Sequence, residues 1–496
     1  MSMIKVENLT FSYPSGYENI FENVNFKIDT DWKLGFIGRN GRGKTTFLKL
    51  LMGMYAYEGK ISSSVIFDYF PYQAEDESLL TNEVLAGICP NAQDWEIIKE
   101  LSLLGVAADV LWQPYETLSK GQQTKVMLAA LFLNEGHFLL IDEPTDHLDA
   151  AGRQAVASYL EKKKGFILVS HDREFLDSCI DHVLSLNRSD IEVQSGNFSS
   201  WYENFQRRQM AETTQDRRLQ KDIERLRKAA GQTGVWAGRV ESSKYGCGPA
   251  DRGYIGHKSA KMMKRAKSIQ SRQQKAADEK AGLLKNAEKT EPLKLFPMEY
   301  RARRMISVTD LVIFYGGKQV CGPLSFEVCC GDRIALDGGN GSGKSSLIKL
   351  LANMDVGHDS AGAPGYSGTI NTGSGLVISY VPQDASFLEG TLSDFAGRKG
   401  IDESLFKTVL RKMDFDRGQF EKDLRELSVG QKKKVLLAGS ICQRAHLYIW
   451  DEPLNYIDIY SRMQIENLIA GYSPSMIFVE HDRAFRQTVA TRQIKL

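Results

Sequence analysis

One ordered set of motifs occurs twice in this chain, and that repetition constrains the fold more than any other feature. The first set reads GRNGRGKT (Gly38 to Thr45), Gln73, LSKGQ (Leu118 to Gln122), FLLIDEP (Phe138 to Pro144) and His171. The second reads GGNGSGKS (Gly338 to Ser345), Gln383, LSVGQ (Leu427 to Gln431), LYIWDEP (Leu447 to Pro453) and His481. Lys44 and Lys344 lie 300 residues apart, and Ser119 precedes Glu143 by 24 positions, as Ser428 precedes Glu452. Each Glu precedes the late His by 28 or 29 positions. The short apolar runs Leu34 to Ile37, Phe138 to Ile141 and Phe166 to Val169 alternate with longer helical patterns, and their counterparts are Ile334 to Leu336, Leu447 to Trp450 and Met476 to Val479. Continuous apolar runs of this length read as buried parallel strands, so each half is predicted to be an α/β layered domain and the chain a tandem duplication.

The repeated residues carry the chemistry of a nucleoside triphosphate site. In G-x4-G-K-[ST] the glycines let backbone N–H groups curl around phosphates at a helix N-terminus, where the macrodipole favours anions. Gly38, Asn40, Gly41 and Gly43 are therefore assigned to ATP, as are Gly338, Asn340, Gly341 and Gly343. Lys44 and Lys344 would reach the β- and γ-phosphates, Thr45 and Ser345 would offer hydroxyls to Mg2+, and Thr46 and Ser346 complete the two cradles. An apolar strand ending in Asp-Glu places two carboxylates at the sheet edge where ligands bind. Asp142 and Asp451 suit the outer sphere of Mg2+, Glu143 and Glu452 suit polarising the attacking water, and His171 and His481 are read as γ-phosphate contacts. Ser119, Gly121 and Gln122, like Ser428, Gly430 and Gln431, open a helix bearing basic residues (Lys125; Lys432, Lys433 and Lys434), a second anion-binding N-terminus in each half. Each phosphate loop already serves its own nucleotide. The expected arrangement is head to tail within one monomeric chain, each signature helix closing over the ATP held by the other half.

Between the halves the texture changes. Residues 207–290 hold 21 Lys and Arg against 9 Asp and Glu, a net of +12, although the whole chain has a net charge of only +1. Such a segment is an electrostatic footprint for a polyanion, nucleic acid first. Leu219, Ile223 and Leu226, and again Met262, Ala266 and Ile269, fall at helical spacing among polar residues, predicting two long helices paired antiparallel. Seven glycines and Pro249 between Gly231 and Gly256 mark the turn-over. The predicted domains are 1–198, a basic helical-hairpin linker over 199–290, and 291–496. No run of 18 or more apolar residues occurs and MSMIKVENL lacks a secretory signal pattern, so the expectation is a cytoplasmic protein with no membrane partner. The seven cysteines form no CxxC pair and read as reduced thiols.

Gly-rich loop, Gln loop, LSxGQ, Asp-Glu pair and His in this order resemble ABC ATPase cassettes, over nearly all of both halves. Two such cassettes flanking a charged helical linker resemble the ABC-F proteins, which act on ribosomes. DEPTDHLD (Asp142 to Asp149) is one residue from the usual DEPTNHLD of that family. The resemblance implies that Tyr13 and Tyr315 stack on adenine, that Gln73 and Gln383 reach Mg2+ directly or through water, and that ATP binding closes the cassettes while hydrolysis releases them. The Gln-to-signature spacings, 46 and 45, imply that the first cassette lacks the arm insertion of housekeeping members. The linker, with WAGRVESSKYG (Trp236 to Gly246) and DRGYIGHKSAKMMKRAKS (Asp251 to Ser268), is most similar to ribosome-protection members conferring resistance to lincosamides, pleuromutilins and streptogramin A. There are departures: the second cassette reads DEPLNYID (Asp451 to Asp458), Trp450 replaces an aliphatic residue, and both signatures lack one glycine of LSGGQ. ATP binding is expected at both sites, and equal hydrolysis is not implied.

The partners implied are the 70S ribosome, with 23S rRNA near the peptidyl-transferase centre and P-site tRNA. There the loop around Lys244 would approach the drug site, with Trp236, Tyr245 and Tyr254 stacking or crowding and the basic flanks on rRNA phosphates. Direct overlap with the drug and rearrangement of tRNA and rRNA both stay open. The competing classes are a housekeeping ABC-F translation factor relieving stalled ribosomes, the ATPase subunit of a drug exporter, and a DNA-associated coiled-coil ATPase.

Overall fold

The computed structural model describes residues 2–14, 19–72, 74, 76–145, 148–187, 190–211, 292–315, 318–339, 341–352 and 364–496, with 257 and scattered positions from 260 to 275. Met1–Leu186, Ile191–Phe198 and Thr290–Leu496 form one compact unit, which contains both motif sets, and Asn187–Asp190 with Ser199–Lys289 form another. In the second unit a helix runs to residue 211. The predicted helical seams at Leu219, Ile223, Leu226, Met262, Ala266 and Ile269, and the loop residues Trp236, Lys244, Tyr245 and Tyr254, lie outside the described residues.

The first half begins with β1 (Met3–Phe11), β2 (Phe21–Asp29), β3 (Lys33–Ile37), β4 (Glu58–Ser62) and β5 (Ile66–Phe70). It continues with β6 (His137–Asp142), β7 (Phe166–Val169), β8 (His182–Leu186) and β9 (Ile191–Ser195). The antiparallel set β2-β1-β4 forms a small sheet, and β5-β6-β7-β3-β8-β9 forms the main one, parallel except at β9. The second half repeats the plan with β10 (Arg304–Tyr315), β11 (Lys318–Cys329), β12 (Arg333–Asp337), β13 (Gly365–Thr372), β14 (Ile378–Val381), β15 (Leu447–Asp451), β16 (Met476–Val479) and β17 (Arg492–Lys495). Its sheets are β11-β10-β13, antiparallel, and β14-β15-β16-β12-β17, wholly parallel.

Burial explains the strand sequences. All four residues of β7 and all five of β15 are buried, as a parallel strand covered on both faces requires. Phe47 of the helix Lys44–Leu51 seals one face, meeting Phe21, Phe26 and Phe36 ring to ring. The strand order then sets the chemistry. It brings the C-terminal ends of β3, β6 and β7 side by side, and likewise those of β12, β15 and β16. The phosphate loop, the Asp-Glu pair and the late His follow these ends, so residues more than a hundred positions apart converge on one edge.

Candidate functional site

Each phosphate loop leaves its strand and turns straight into a helix, Lys44–Leu51 in the first half and Lys344–Ala352 in the second. Gly43 adopts a φ of 104°, and a Cβ there would come within 2.5 Å of Ile20 Cγ2, so this position admits only glycine. Lys44 Nζ folds back onto its own loop, donating to the carbonyls of Gly38 at 2.8 Å and Arg39 at 3.2 Å and to Asn40 Oδ1 at 3.3 Å. Lys344 Nζ repeats the gesture toward Gly338 and Gly339, both at 2.8 Å. Burial lowers the Lys44 ammonium from its ordinary value, with Asp458, Glu143 and Asp142 opposing.

The acidic pairs sit where the sheet order puts them. Glu143 and Glu452 take positive φ angles of 50° and 45°, and their N–H groups donate to the Val169 and Val479 carbonyls at 2.9 and 3.0 Å. Two non-glycine residues held in the left-handed region at equivalent positions mark backbone strain kept by the surrounding sheet. Thr45 Oγ1 donates to Asp142 Oδ2 at 2.8 Å, joined there by the Tyr69 hydroxyl at 3.0 Å, and Ser345 Oγ donates to Asp451 Oδ1 at 3.3 Å. Each site thus sets a hydroxyl beside a carboxylate, hard oxygen donors of the kind Mg2+ takes. Asp451 Oδ2 is buried with no hydrogen-bond partner among the described residues, which suits a cation or its water, and burial pushes this carboxyl up.

The second-half glutamate is held from three sides. Glu452 Oε2 accepts from Gln383 Nε2 and from Asn455 Nδ2, both at 2.7 Å, while His481 Nε2 lies 3.4 Å from Oε1. Burial works to raise this carboxyl, but the bonds from His481 and Gln383 hold it below its ordinary value. In the first half His171 Nε2 lies 3.3 Å from Glu143 Oε1 and 2.9 Å from Asn40 Oδ1. Burial takes the His171 ring well below its ordinary value, helped by Lys44 and Arg462, so it is neutral at neutral pH. Asn40 turns its Nδ2 to the Tyr456 carbonyl at 2.7 Å; its Oδ1 therefore accepts, and His171 carries its proton on Nε2.

The signature segments are helix starts. Ser119 and Ser428 each accept from the N–H of Gln122 or Gln431 at 3.3 Å, and each Gln Oε1 accepts the Ser N–H in return at 3.0 Å, a reciprocal capping box. Gly430 is confined: a Cβ would meet the Tyr456 carbonyl at 2.5 Å and Asn40 Nδ2 at 3.3 Å. The capped helices leave their first N–H groups facing the other half. A cavity of about 590 Å³ is lined by Tyr13, Asn40, Gly41, Gly43, Lys44, Thr45, Thr46, Asp142, Glu143 and His171 of the first half and by Ser428 and Gly430 of the second. A second, of about 830 Å³, is lined by Tyr315, Gly341, Gly343, Lys344, Ser345, Ser346, Gln383, Glu452 and His481, and by Ser119, Gly121 and Gln122 from the first half. Gly38 and Gly338 touch the lysine ammonium groups just behind, and Gln431 caps its helix. Gln73 and Asn340 lie outside the described residues.

Two features differ from what the sequence suggests. Lys433 and Lys434 do not face a cavity: Lys433 Nζ donates to the carbonyls of Pro382 at 2.8 Å, Gln383 at 3.0 Å and Asp451 at 3.2 Å, and Lys434 Nζ pairs with buried Asp458 at 2.7 Å. Asn455 and Arg153 escape a reading by motif, though Asn455 stands three residues after Glu452 and Arg153 lines both cavities.

Two cavities, each closed by the phosphate loop of one half and the signature helix of the other, define an ATPase of the nucleotide-sandwich class. Residues 21–146 and 321–455 match the family described as ABC transporter, and the chain belongs to it. Among the described residues no helix is long and apolar enough to cross a membrane. The chain is similar to the putative ATP-binding protein YdiF of Bacillus subtilis (strain 168), 26% identical over 100% of this chain and 80% of that protein. It is also similar to the ribosome protection protein VmlR of the same organism, 24% identical over 97% of this chain and 85% of that one. Its fold matches the crystal structure of the complex of archaeal ribosomal stalk protein aP1 and archaeal ribosome recycling factor aABCE1, with a TM-score of 0.60 at 19% identity, covering 98% of this chain and 87% of that one.

Proposed function

We propose that this chain is an ABC-F-type ATPase that binds the 70S ribosome and protects its peptidyl-transferase centre from lincosamides, pleuromutilins and streptogramin A. The segment between the cassettes carries this proposal: residues 207–290, with a net charge of +12, join two cassettes that together line two cavities. A polyanion is the partner such a segment fits. The likeness to the relative named for ribosome protection supports the same reading.

In each cavity the loop N–H groups with Lys44 or Lys344 take the β- and γ-phosphates, and Tyr13 or Tyr315 takes the base. Thr45, Asp142 and Gln73, or Ser345, Asp451 and Gln383, would hold Mg2+ directly or through water. The ion, when bound, neutralises charge on the phosphates. Glu143 and Glu452 orient and polarise the attacking water, and His171 and His481 each offer an N–H to a γ-phosphate oxygen. Signature N-termini from the opposite cassette complete the enclosure, so a triphosphate adds a bridge between the halves and its hydrolysis removes that one contribution to closure. With 1–198 and 291–496 as cassettes, closure would set the linker over 199–290 against rRNA and P-site tRNA, and the loop bearing Trp236, Lys244, Tyr245 and Tyr254 would reach the drug site.

Expression in a susceptible bacterium tests this. Inhibitory concentrations of lincomycin, tiamulin and virginiamycin M should rise while those of erythromycin and chloramphenicol stay put, and Glu143→Gln with Glu452→Gln should trap the chain on 70S ribosomes with ATP. Unchanged concentrations for all five drugs would overturn the resistance role. Slow growth without drug on deletion would then favour a translation factor that relieves stalled ribosomes.

A further inference from the structure

The two cavities are built from a duplicated motif, yet the protein crosses them differently. At the first, arginines of the first cassette reach acids of the second. Arg42, in the phosphate loop, grips Asp414 with both arms, Nε to Oδ2 at 3.1 Å and Nη2 to Oδ1 at 2.6 Å. Arg39, 3% exposed, lies over the Tyr460 ring at 5.6 Å and helps to keep buried Asp458 ionised. Arg173 forms a bidentate pair with Glu466.

At the second cavity the corresponding positions cannot do this. Counting from the loop lysines, Gly339 and Ser342 replace Arg39 and Arg42. Counting from the signature serines, Gly105 stands for Asp414, and counting from Glu143, Ala157 stands for Glu466. Arg483, the counterpart of Arg173, meets Glu174 at 3.3 Å with both side chains more than half exposed, where an ion pair contributes little. The lining charges diverge too. Among the described residues Lys44, Arg153 and Arg462 face Asp142, Glu143, Asp172, Glu480 and Asp482 around the first cavity, three cations against five carboxylates. Among the described residues around the second, Lys120, Lys125, Arg153 and Lys344 face Asp149 and Glu452, four against two, with Lys120 and Lys125 on one cassette and Lys344 on the other. Like charges meeting across a gap repel unless an anion lies between them.

We infer that the two cavities have different tasks: the first is a protein-locked hinge that stays closed whatever nucleotide it holds, and the second is a polyphosphate-gated jaw whose occupancy sets whether the clamp is shut. A triphosphate at the second site supplies the negative charge that Lys120, Lys125 and Lys344 need to approach. At the first site Asp414, Asp458 and Glu466 already supply it to Arg42, Arg39 and Arg173. This rests on the ATPase alone and not on any role at the ribosome.

Distance measurements on the purified full chain, without ribosomes, test it. Genetically encoded spin labels report each side: exposed Glu22, next to Phe21 against the first phosphate loop, with exposed Lys422, six residues before Ser428, and exposed Lys99, on a helix packed against the one that begins at Lys120, with exposed Lys318, two residues before the lining Val320. The first distance should stay short without nucleotide, with ADP and with Mg2+ and a non-hydrolysable ATP analogue, whereas the second should shorten only with the analogue. Arg42→Gln should make the first distance respond as well, and Arg42→Asp combined with Asp414→Arg should restore the lock. If these variants fail to fold, Lys120→Gln with Lys125→Gln serves instead, and should hold the second distance short without nucleotide. Two distances that respond alike in the wild-type chain, an Arg42→Gln variant whose first distance is unmoved, or a second jaw that still opens without its lysines would each overturn the inference.

Discussion

Arg173 of the first cassette meets Glu466 of the second through both guanidinium nitrogens, Nη1 donating to Oε2 at 3.0 Å and Nη2 to Oε1, with each side chain only about a tenth exposed. Burial pushes the Glu466 carboxyl up while Arg173 holds it down, so the pair depends on its own geometry for its charge. Removing one partner of a buried pair leaves the other desolvated and unmatched, at about 3–5 kcal/mol. Arg173→Ala should therefore lower the urea midpoint of unfolding strongly. Arg483→Ala, which touches only an exposed pair, should cost less than about 1 kcal/mol.

Lys433 ties the Gln loop to the end of β15 through three carbonyls, a place that Thr124 occupies in the first cassette. In a Glu143→Gln background, which removes the carboxylate proposed to polarise water at the first site, Lys433→Thr should raise the Mg2+ concentration for half-maximal turnover by about tenfold, the scale of one charged hydrogen bond. Burial brings the Lys433 ammonium down to about 8, and the nearby acids only partly oppose this. Raising the pH above that value should weaken the tether in the parent protein and leave the Thr variant unmoved. An identical Mg2+ dependence in the two proteins would reject this positioning role.

His171 is buried neutral, so the unfolded chain takes up a proton near pH 6.5 that the folded chain refuses until much lower. Where the unfolded state binds more protons, stability rises with pH. The contribution of His171 is thus complete above its ordinary value and drains away as pH falls below it, by at most about 1.4 kcal/mol per pH unit. Nucleotide-free His171→Gln should show a flatter urea midpoint between pH 6.5 and 5.5 than the parent, and equal slopes would refute the assignment.

Replacing Arg239 through Asp251 by a neutral flexible stretch should abolish the rise in inhibitory concentrations while ATP turnover in solution persists. Drug tolerance that survives the replacement would remove the linker loop from the proposal.

The fold was readable because apolar runs such as Phe166–Val169 and Met476–Val479 coincide with β7 and β16, and because two cassettes without a membrane-spanning pattern leave a tandem α/β chain. Lys433 and Lys434 were not readable in the same way. A run of lysines looks solvated, but the helix Val429–Cys442 is buried from Lys433 onward, so both ammonium groups turn inward to carbonyls and to Asp458. Arg42 and Asp414 stand 372 residues apart, and no local pattern pairs them. The sequence does record one trace of the asymmetry, the exchange of Arg39 and Arg42 for Gly339 and Ser342 within otherwise matching loops.

Asn40 carries a single amide, with the His171 ring at one end and the Tyr456 main chain, from the opposite cassette, at the other. A planar group of this kind behaves as a seesaw: neither end can be re-aimed without swinging its counterpart. Whatever captures the imidazole proton is consequently felt on the far wall, with no intervening motion of sheet or helix.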